Sequence, residues 1–426
     1  MNERAVTRVA ESTAISPLNK GIGFLDGGLE PEVIAGLGRN LLKEDISLPC
    51  AVLYEQKLQH NLKWMQRFVN EYGMRLAPHG KTTMAPKLFQ MQIDAGAWGI
   101  TLATAHQAMV AWRHGIKRVL MANELIGRQN MAVIAHLLED REFDFYCLVD
   151  SAEGAEQLGS FFAERGLRIK VLLELGVMGG RSGVRNERQL ESVLKAVARW
   201  RNSVALCGVE LYEGVLDNET EIRALLKRAM DIARDLAIEG LFDRSPILLS
   251  GAGSAWYDVV AEEFAAARFD EPVEIVLRPG CYLTHDVGSY KRAQERILAC
   301  NPVAKKMSDG LVTALHIWAY VQSVPEPARA IIGLGRRDAA FDSGLPTPAL
   351  HHRPGDAAPK PAPKQWTMTK IMDQHAYLQI TAGDDIRVGD MIAFDISHPC
   401  LTFDKWRVLQ VVNEKYEVVD VVQTYF

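Results

Sequence analysis

From Cys50 onward the chain alternates short apolar runs with longer stretches whose hydrophobic positions recur every three or four residues. Cys50-Ala-Val-Leu-Tyr-Glu predicts a buried strand, and Leu58, Leu62, Met65 and Val69 keep helical spacing in the segment that follows. Eight further apolar runs come next, at 74–78, 99–103, 118–122, 144–149, 169–175, 206–212, 246–250 and 274–278, with helical patterns such as 105–114, 187–200 and 219–239 between them. The alternation predicts an α/β fold with a parallel sheet. Eight repeats in about 200 residues favour a closed (β/α)8 TIM-type barrel over a doubly wound open sheet.

After residue 290 the rhythm changes to strands without long helices, at 311–324, 330–333, 377–381, 391–395, 406–412 and 418–423. This predicts a second, mostly antiparallel β domain. Within it, 344–365 carries Pro346, Pro348, Pro354, Pro359, Pro361 and Pro363, which reads as a mobile loop or insertion. The expected organisation is an N-terminal segment, 1–47, packing on the β domain, then a barrel over 48–290 and the β domain over 291–426.

Composition narrows the partners. At 426 residues the chain exceeds one ordinary core, and 48% hydrophobic with 24% charged residues describes a soluble globular protein. A net charge of −5 and a pI near 6.2 leave no electrostatic footprint for nucleic acid or an anionic membrane. The six cysteines show no paired spacing, the N-terminus has no signal-like apolar stretch, and no run is long enough to span a bilayer. The expectation is a cytoplasmic protein acting on a small neutral or anionic molecule.

Candidate chemistry falls at strand ends, where barrels build their sites. Pro78-His-Gly-Lys81 delivers a lysine there, with Arg75 and His79 as cationic neighbours able to lower its pKa and make it a nucleophile. Position alone does not separate Lys81 from a solvated loop lysine. Arg181 in the glycine-rich turn after 169–175 suits an anionic oxygen, and Tyr212 brings a hydroxyl to the end of another strand. Ser250-Gly251-Ala-Gly253-Ser254 and Gly280-Cys281-Tyr282 follow the seventh and eighth runs, the loops where barrels hold phosphate. Neither continues into a dinucleotide or P-loop pattern, so the phosphate belongs to something smaller. A phosphate site facing a lysine is the layout of a pyridoxal phosphate enzyme, with Lys81 as the Schiff-base residue. Late in the chain, His398-Pro399-Cys400 reads as extended, with imidazole and thiolate on one side in a pairing that suits zinc. Two ligands do not complete a site, and an isolated pair of this kind is more often incidental.

These motifs resemble the fold-type III pyridoxal phosphate enzymes, which join an alanine racemase-like barrel to a β domain, and within them the D-serine dehydratase and D-threonine aldolase branch. Pro78-His-Gly-Lys81-Thr is similar to that branch's lysine motif, Tyr212-Glu-Gly to its Tyr-x-Gly, 250–254 to its phosphate loop and 278–282 to its Pro-Gly-x-Tyr. The resemblance implies that Lys81 holds the cofactor and that Arg181 contacts its phenolic oxygen. It assigns Tyr212 to the ring nitrogen or the substrate, and Ser250, Gly251, Gly253, Ser254, Gly280, Cys281 and Tyr282 to cofactor binding. It also implies a zinc or other divalent ion on His398 and Cys400, a D-amino acid substrate, and a homodimer whose β domain comes from the partner copy. The pair His-x-Cys favours a D-serine dehydratase, a carbon-nitrogen lyase, over the aldolase branch with its typical His-x-Asp. Retro-aldol cleavage is the alternative, followed by a racemase or a pyridoxal phosphate carrier without turnover. Gly176, Val215 and Thr83-Met84 depart from the family's usual residues and leave substrate identity open.

Overall fold

A computed structural model of the chain describes residues 14–426, so the first thirteen residues of the expected N-terminal segment lie outside the described residues. Strand β1 (Cys50–Tyr54) leads into the helix Glu55–Glu71, which buries Leu58, Leu62, Met65 and Val69 on one face. Eight parallel strands then follow: β2 (Arg75–Leu76), β3 (Ile100–Leu102), β4 (Arg118–Glu124), β5 (Asp144–Val149), β6 (Ile169–Leu175), β7 (Val204–Leu211), β8 (Ile247–Gly251) and β9 (Val273–Leu277). Their hydrogen-bonded order runs β2-β9-β8-β7-β6-β5-β4-β3. The sheet closes into a barrel where His79 bridges Thr101 and the Thr101 hydroxyl donates to the Ala77 carbonyl at 2.6 Å.

Both faces of β5, β6, β7 and β8 are largely buried, which is why these strands read as mostly apolar runs. In β5, Phe145, Cys147 and Val149 face the surrounding helices, while Tyr146 and Leu148 fill the interior with Leu120, Leu172 and Leu248. Two residues beyond interior Ala122 and Leu172 stand Glu124 and Glu174, so the interior turns acidic towards the C-terminal mouth.

The second sheet holds β1 and nine later strands: β10 (Leu315–Glu326), β11 (Arg329–Ile332), β12 (Thr347–His352), β13 (Lys360–Pro361), β14 (Thr367–Ile371), β15 (Ala376–Gln379), β16 (Met391–Asp395), β17 (Val408–Val412) and β18 (Val418–Gln423). β1 pairs antiparallel with β10 and parallel with β17. This corrects the boundary at residue 48: the first strand of the expected barrel segment belongs to the other sheet, because an apolar run specifies burial and not a partner. Ile15, Ile22, Ile34, Leu41 and Ile46 share a core with Val52, Trp318 and Val408 of this sheet.

The proline-rich stretch is a second correction. Instead of a loop it supplies β12 and β13, with β12 paired to β16. The prolines are accommodated where a missing N–H costs least: the register shifts between Pro348 and Leu350, and Pro361 lies in the edge strand β13. No helix among the described residues is long and apolar enough to cross a membrane.

Candidate active site

One cavity of about 180 Å³ lies at the C-terminal ends of the barrel strands, lined by residues that follow β2, β6, β7, β8 and β9 and by His398 and Cys400. Lys81 enters it from the single turn Gly80–Thr82 after β2. Among the described residues its Nζ makes neither a hydrogen bond nor an ion pair, and the residue is exposed. Arg181, Tyr212, Gly253, Ser254, Gly280 and Cys281 line the same cavity, and so do His398 and Cys400.

Three expected cofactor residues are not brought there. Ser250 is fully buried inside β8 and donates its hydroxyl to the Val276 carbonyl at 3.0 Å. A side chain on Gly251 would point at Val260, Phe264 and Leu211, the helix side of the strand. Tyr282 is buried in the outer core with its hydroxyl accepting from Gln92 Nε2 at 3.1 Å. The turn begins later than the glycine pattern suggested, and alternate strand residues face opposite ways. Arg75 is also absent: it stands at the opposite end of β2, 62% exposed and 3.5 Å from Glu274.

The cavity is cationic. Lys81, Arg181 and Arg278 line it, and no carboxylate does. Arg181 lies over the Tyr212 ring at 4.8 Å and 3.8 Å from Glu174, which also accepts from the Ser182 hydroxyl at 2.8 Å and lies beside Glu124. Burial, then the Glu213 carboxylate, raises Tyr212 above the usual phenol range, so it is a proton donor at neutral pH. Arg278 is almost sealed from water, pairs with Glu210 and donates to the Leu211 carbonyl at 3.0 Å. Sequence reasoning quoted Arg278 in a motif and gave it no role, and it passed over Glu210; an arginine closing an apolar strand was the available signal.

His79 lies at the barrel seam with Nε2 3.5 Å from Arg278 Nη1. Because a guanidinium only donates, Nε2 accepts and the ring proton sits on Nδ1. Burial, followed by Arg278, Lys81 and Arg181, pushes His79 well below the ordinary imidazole range, so it is neutral. Its Nδ1 and the Arg278 Nε are buried without a partner.

The amides of Gly280 and Cys281 both donate to Ser254 Oγ at 3.1 Å, which leaves the serine proton free to point into the cavity. A Cβ on Gly280 would fall 2.5 Å from the His79 Cβ, and one on Gly253 would fall 2.9 Å from the Tyr212 ring. Orphaned donors, a free hydroxyl and backbone kept bare at close approach fit an anionic, phosphate-bearing ring beside Lys81.

His398 and Cys400 arrive from the second sheet. His398 is extended (φ −149°, ψ 98°), as its proline successor requires, but Pro399 starts a helix, Pro399–Phe403. Cys400 therefore lies in a first helical turn and not on an extended strand, a third correction. The helix packs on the turn Gly80–Thr82. One chain thus brings His398, Cys400 and Lys81 to one cavity. His398 Nδ1 bonds Asp342 Oδ2 at 2.7 Å, the carboxylate-imidazole contact that orients a metal ligand. Hydrogen bonding from Cys281, then from His398 and Thr82, lowers Cys400 and makes it the thiolate of the pair. These residues fit a zinc-like ion.

A model of the alanine racemase N-terminal domain matches residues 54–284, over half of the chain, and a putative serine dehydratase domain matches 314–412. The D-threonine aldolase of Arthrobacter sp. is 26% identical over 375 residues, covering 87% of this chain and 90% of that protein. The D-threo-3-hydroxyaspartate dehydratase of Delftia sp. strain HT23 is 28% identical over 251 residues, 57% of this chain and 62% of the relative; a cysteine-to-alanine variant of it has been solved in a metal-free form. The D-threonine aldolase of Filomicrobium marinum superposes with a TM-score of 0.75 at 23% identity, over 91% of this chain and 97% of that one. The chain belongs to the fold-type III pyridoxal phosphate enzymes with an alanine racemase-like barrel, in the branch of the D-serine dehydratases and D-threonine aldolases.

Proposed function

We propose that the protein is a pyridoxal phosphate and zinc dependent lyase that removes water from a D-β-hydroxy amino acid, with D-serine the first choice, to give a 2-oxo acid and ammonia. The reading rests above all on one relationship: Lys81 and the pair His398 and Cys400 open on the same cavity from different sheets. A base and a metal site can then act on adjacent carbons of one small substrate.

When bound, the pyridine ring and the divalent ion supply an electron sink for Cα and Lewis acidity at the β-oxygen. Lys81 Nζ would hold the cofactor, and as an amine in the same cavity it would be the base for the Cα proton. Arg181, held by Glu174 and stacked on Tyr212, meets the phenolic oxygen. Ser254, with Gly253 and Gly280 beside it, receives the phosphate. Neutral His79 and the Arg278–Glu210 pair form the wall that keeps the ring in register. Asp342 orients His398, so His398 and Cys400 would hold the ion, which would supply Lewis acidity to the departing hydroxyl.

Similarity to D-threonine aldolases favours one second reading, cleavage of the Cα–Cβ bond by the same lysine and metal. The proposal includes a homodimer in the cytoplasm, on family likeness, although the metal pair reaches the lysine within one chain. Product analysis on D-serine, D-threonine and D-3-hydroxyaspartate, with and without chelator, tests it. Chelator-sensitive 2-oxo acid and ammonia support the dehydratase, glycine with aldehyde shifts the assignment to the aldolase, and chelator-insensitive turnover removes the metal from the reaction.

A further inference from the structure

Cys281 follows the glycine whose amide donates to Ser254, in the loop after β9, and Cys400 is the second residue of the helix after β16. Their sulfurs face each other at 3.9 Å, with Thr82 Oγ1 4.0 Å from the first and 3.5 Å from the second. A disulfide would need the sulfurs at about 2.05 Å. Two thiolates on one tetrahedral zinc, with bonds of about 2.3 Å, stand about 3.8 Å apart. The observed 3.9 Å suits a hydrogen bond between the two sulfurs and equally matches the spacing of two sulfurs on a shared ion.

We propose that Cys281 is the third protein ligand of the metal, which with His398 and Cys400 makes a Cys2His site whose fourth position opens on the cavity beside Lys81. The inference rests on the metal reading above. Three protein ligands with one open position is the composition of a catalytic zinc site, whereas a pair alone leaves half of a tetrahedron to solvent. All three residues line the one cavity. The three donors are not all within 4.8 Å of each other, so a shared ion requires the partly buried imidazole, 29% exposed, to turn inward while it keeps its contact with Asp342. The only described group of three donors already that close is Glu124, Asp150 and Glu174, which is purely carboxylate and suits zinc less well.

The arrangement has a mechanical consequence. His398 and Cys400 lie two residues apart at the start of one short helix, so a metal on them alone ties nothing together. Adding Cys281 clamps the second sheet to the barrel loop that carries the Gly280 and Cys281 amides, and so couples metal loading to closure of the cofactor site.

The test counts sulfur around the metal. X-ray absorption on the zinc-loaded wild type should find two sulfur neighbours at about 2.3 Å. In the cobalt-substituted protein, Cys281→Ser should lower the thiolate charge-transfer band to about half and weaken metal binding at least about tenfold. Retained visible cofactor absorbance reports that the variant is folded. One sulfur neighbour in the wild type, or a band and affinity unchanged in Cys281→Ser, overturns the role of Cys281 and leaves the pair standing. Failure of the wild type to bind zinc or cobalt at all overturns both this inference and the metal reading beneath it.

Discussion

Arg278, which lines the cavity that Lys81 enters, forms an ion pair with Glu210, both side chains sealed from water at 2% and 0% exposed. Such a pair contributes little net stability as a whole, but breaking it leaves a buried charge uncompensated. Glu210→Ala is expected to destabilise the fold by about 3–5 kcal/mol in urea unfolding, and Glu210→Gln, which keeps an acceptor, by less. A loss below about 1 kcal/mol for the alanine variant would mean that Arg278 finds water or another partner.

Ser254 accepts two backbone amides and has one proton left for the cofactor phosphate. Ser254→Ala strands both amides and deletes that donor, so cofactor affinity should fall by about 1–3 kcal/mol, read by fluorescence titration of the apoprotein. Unchanged affinity would place the phosphate elsewhere.

Asp342 fixes the His398 ring through Nδ1. Asp342→Ala should weaken metal binding about 10–100-fold in a chelator competition while leaving cofactor absorbance in place. Equal affinity would make the contact a surface ion pair without a role in ligation.

Burial, then hydrogen bonding to Glu174, raises the Glu124 carboxyl from 4.5 to about 8. The native state therefore holds a proton that the unfolded chain has released, and stability falls as pH climbs between those two values. Glu124→Gln has no such proton to lose. Its thermal midpoint should gain on the wild type between about pH 5 and pH 8, and parallel curves for the two proteins would contradict the raised carboxyl.

Barrel strands were legible because a strand buried on both faces is mostly apolar, as 144–149 and 169–175 are apart from Asp144, Lys170 and Glu174 towards their ends. Which sheet a strand joins was not: Cys50–Tyr54 has the same apolar character and pairs with β10 and β17. Motif residues converged where the loop itself forms the cavity wall, as at Lys81, Gly253, Ser254 and Cys281. They diverged where the pattern still lay inside a strand, since one residue of offset reverses facing; Ser250 and Gly251 are that case. The contacts of Glu210, Asp342 and Cys281 span 68, 56 and 119 positions along the chain, a separation at which spacing carries no signal.

Lys81 offers the most direct test of the central assignment. The native protein, treated with borohydride and digested, should carry a pyridoxyl phosphate mass on the peptide containing Lys81 and on no other, and Lys81→Ala should lose both that mass and the visible absorbance. A label on a different lysine, or absorbance that survives in Lys81→Ala, would contradict the assignment of Lys81 as the residue that holds the cofactor.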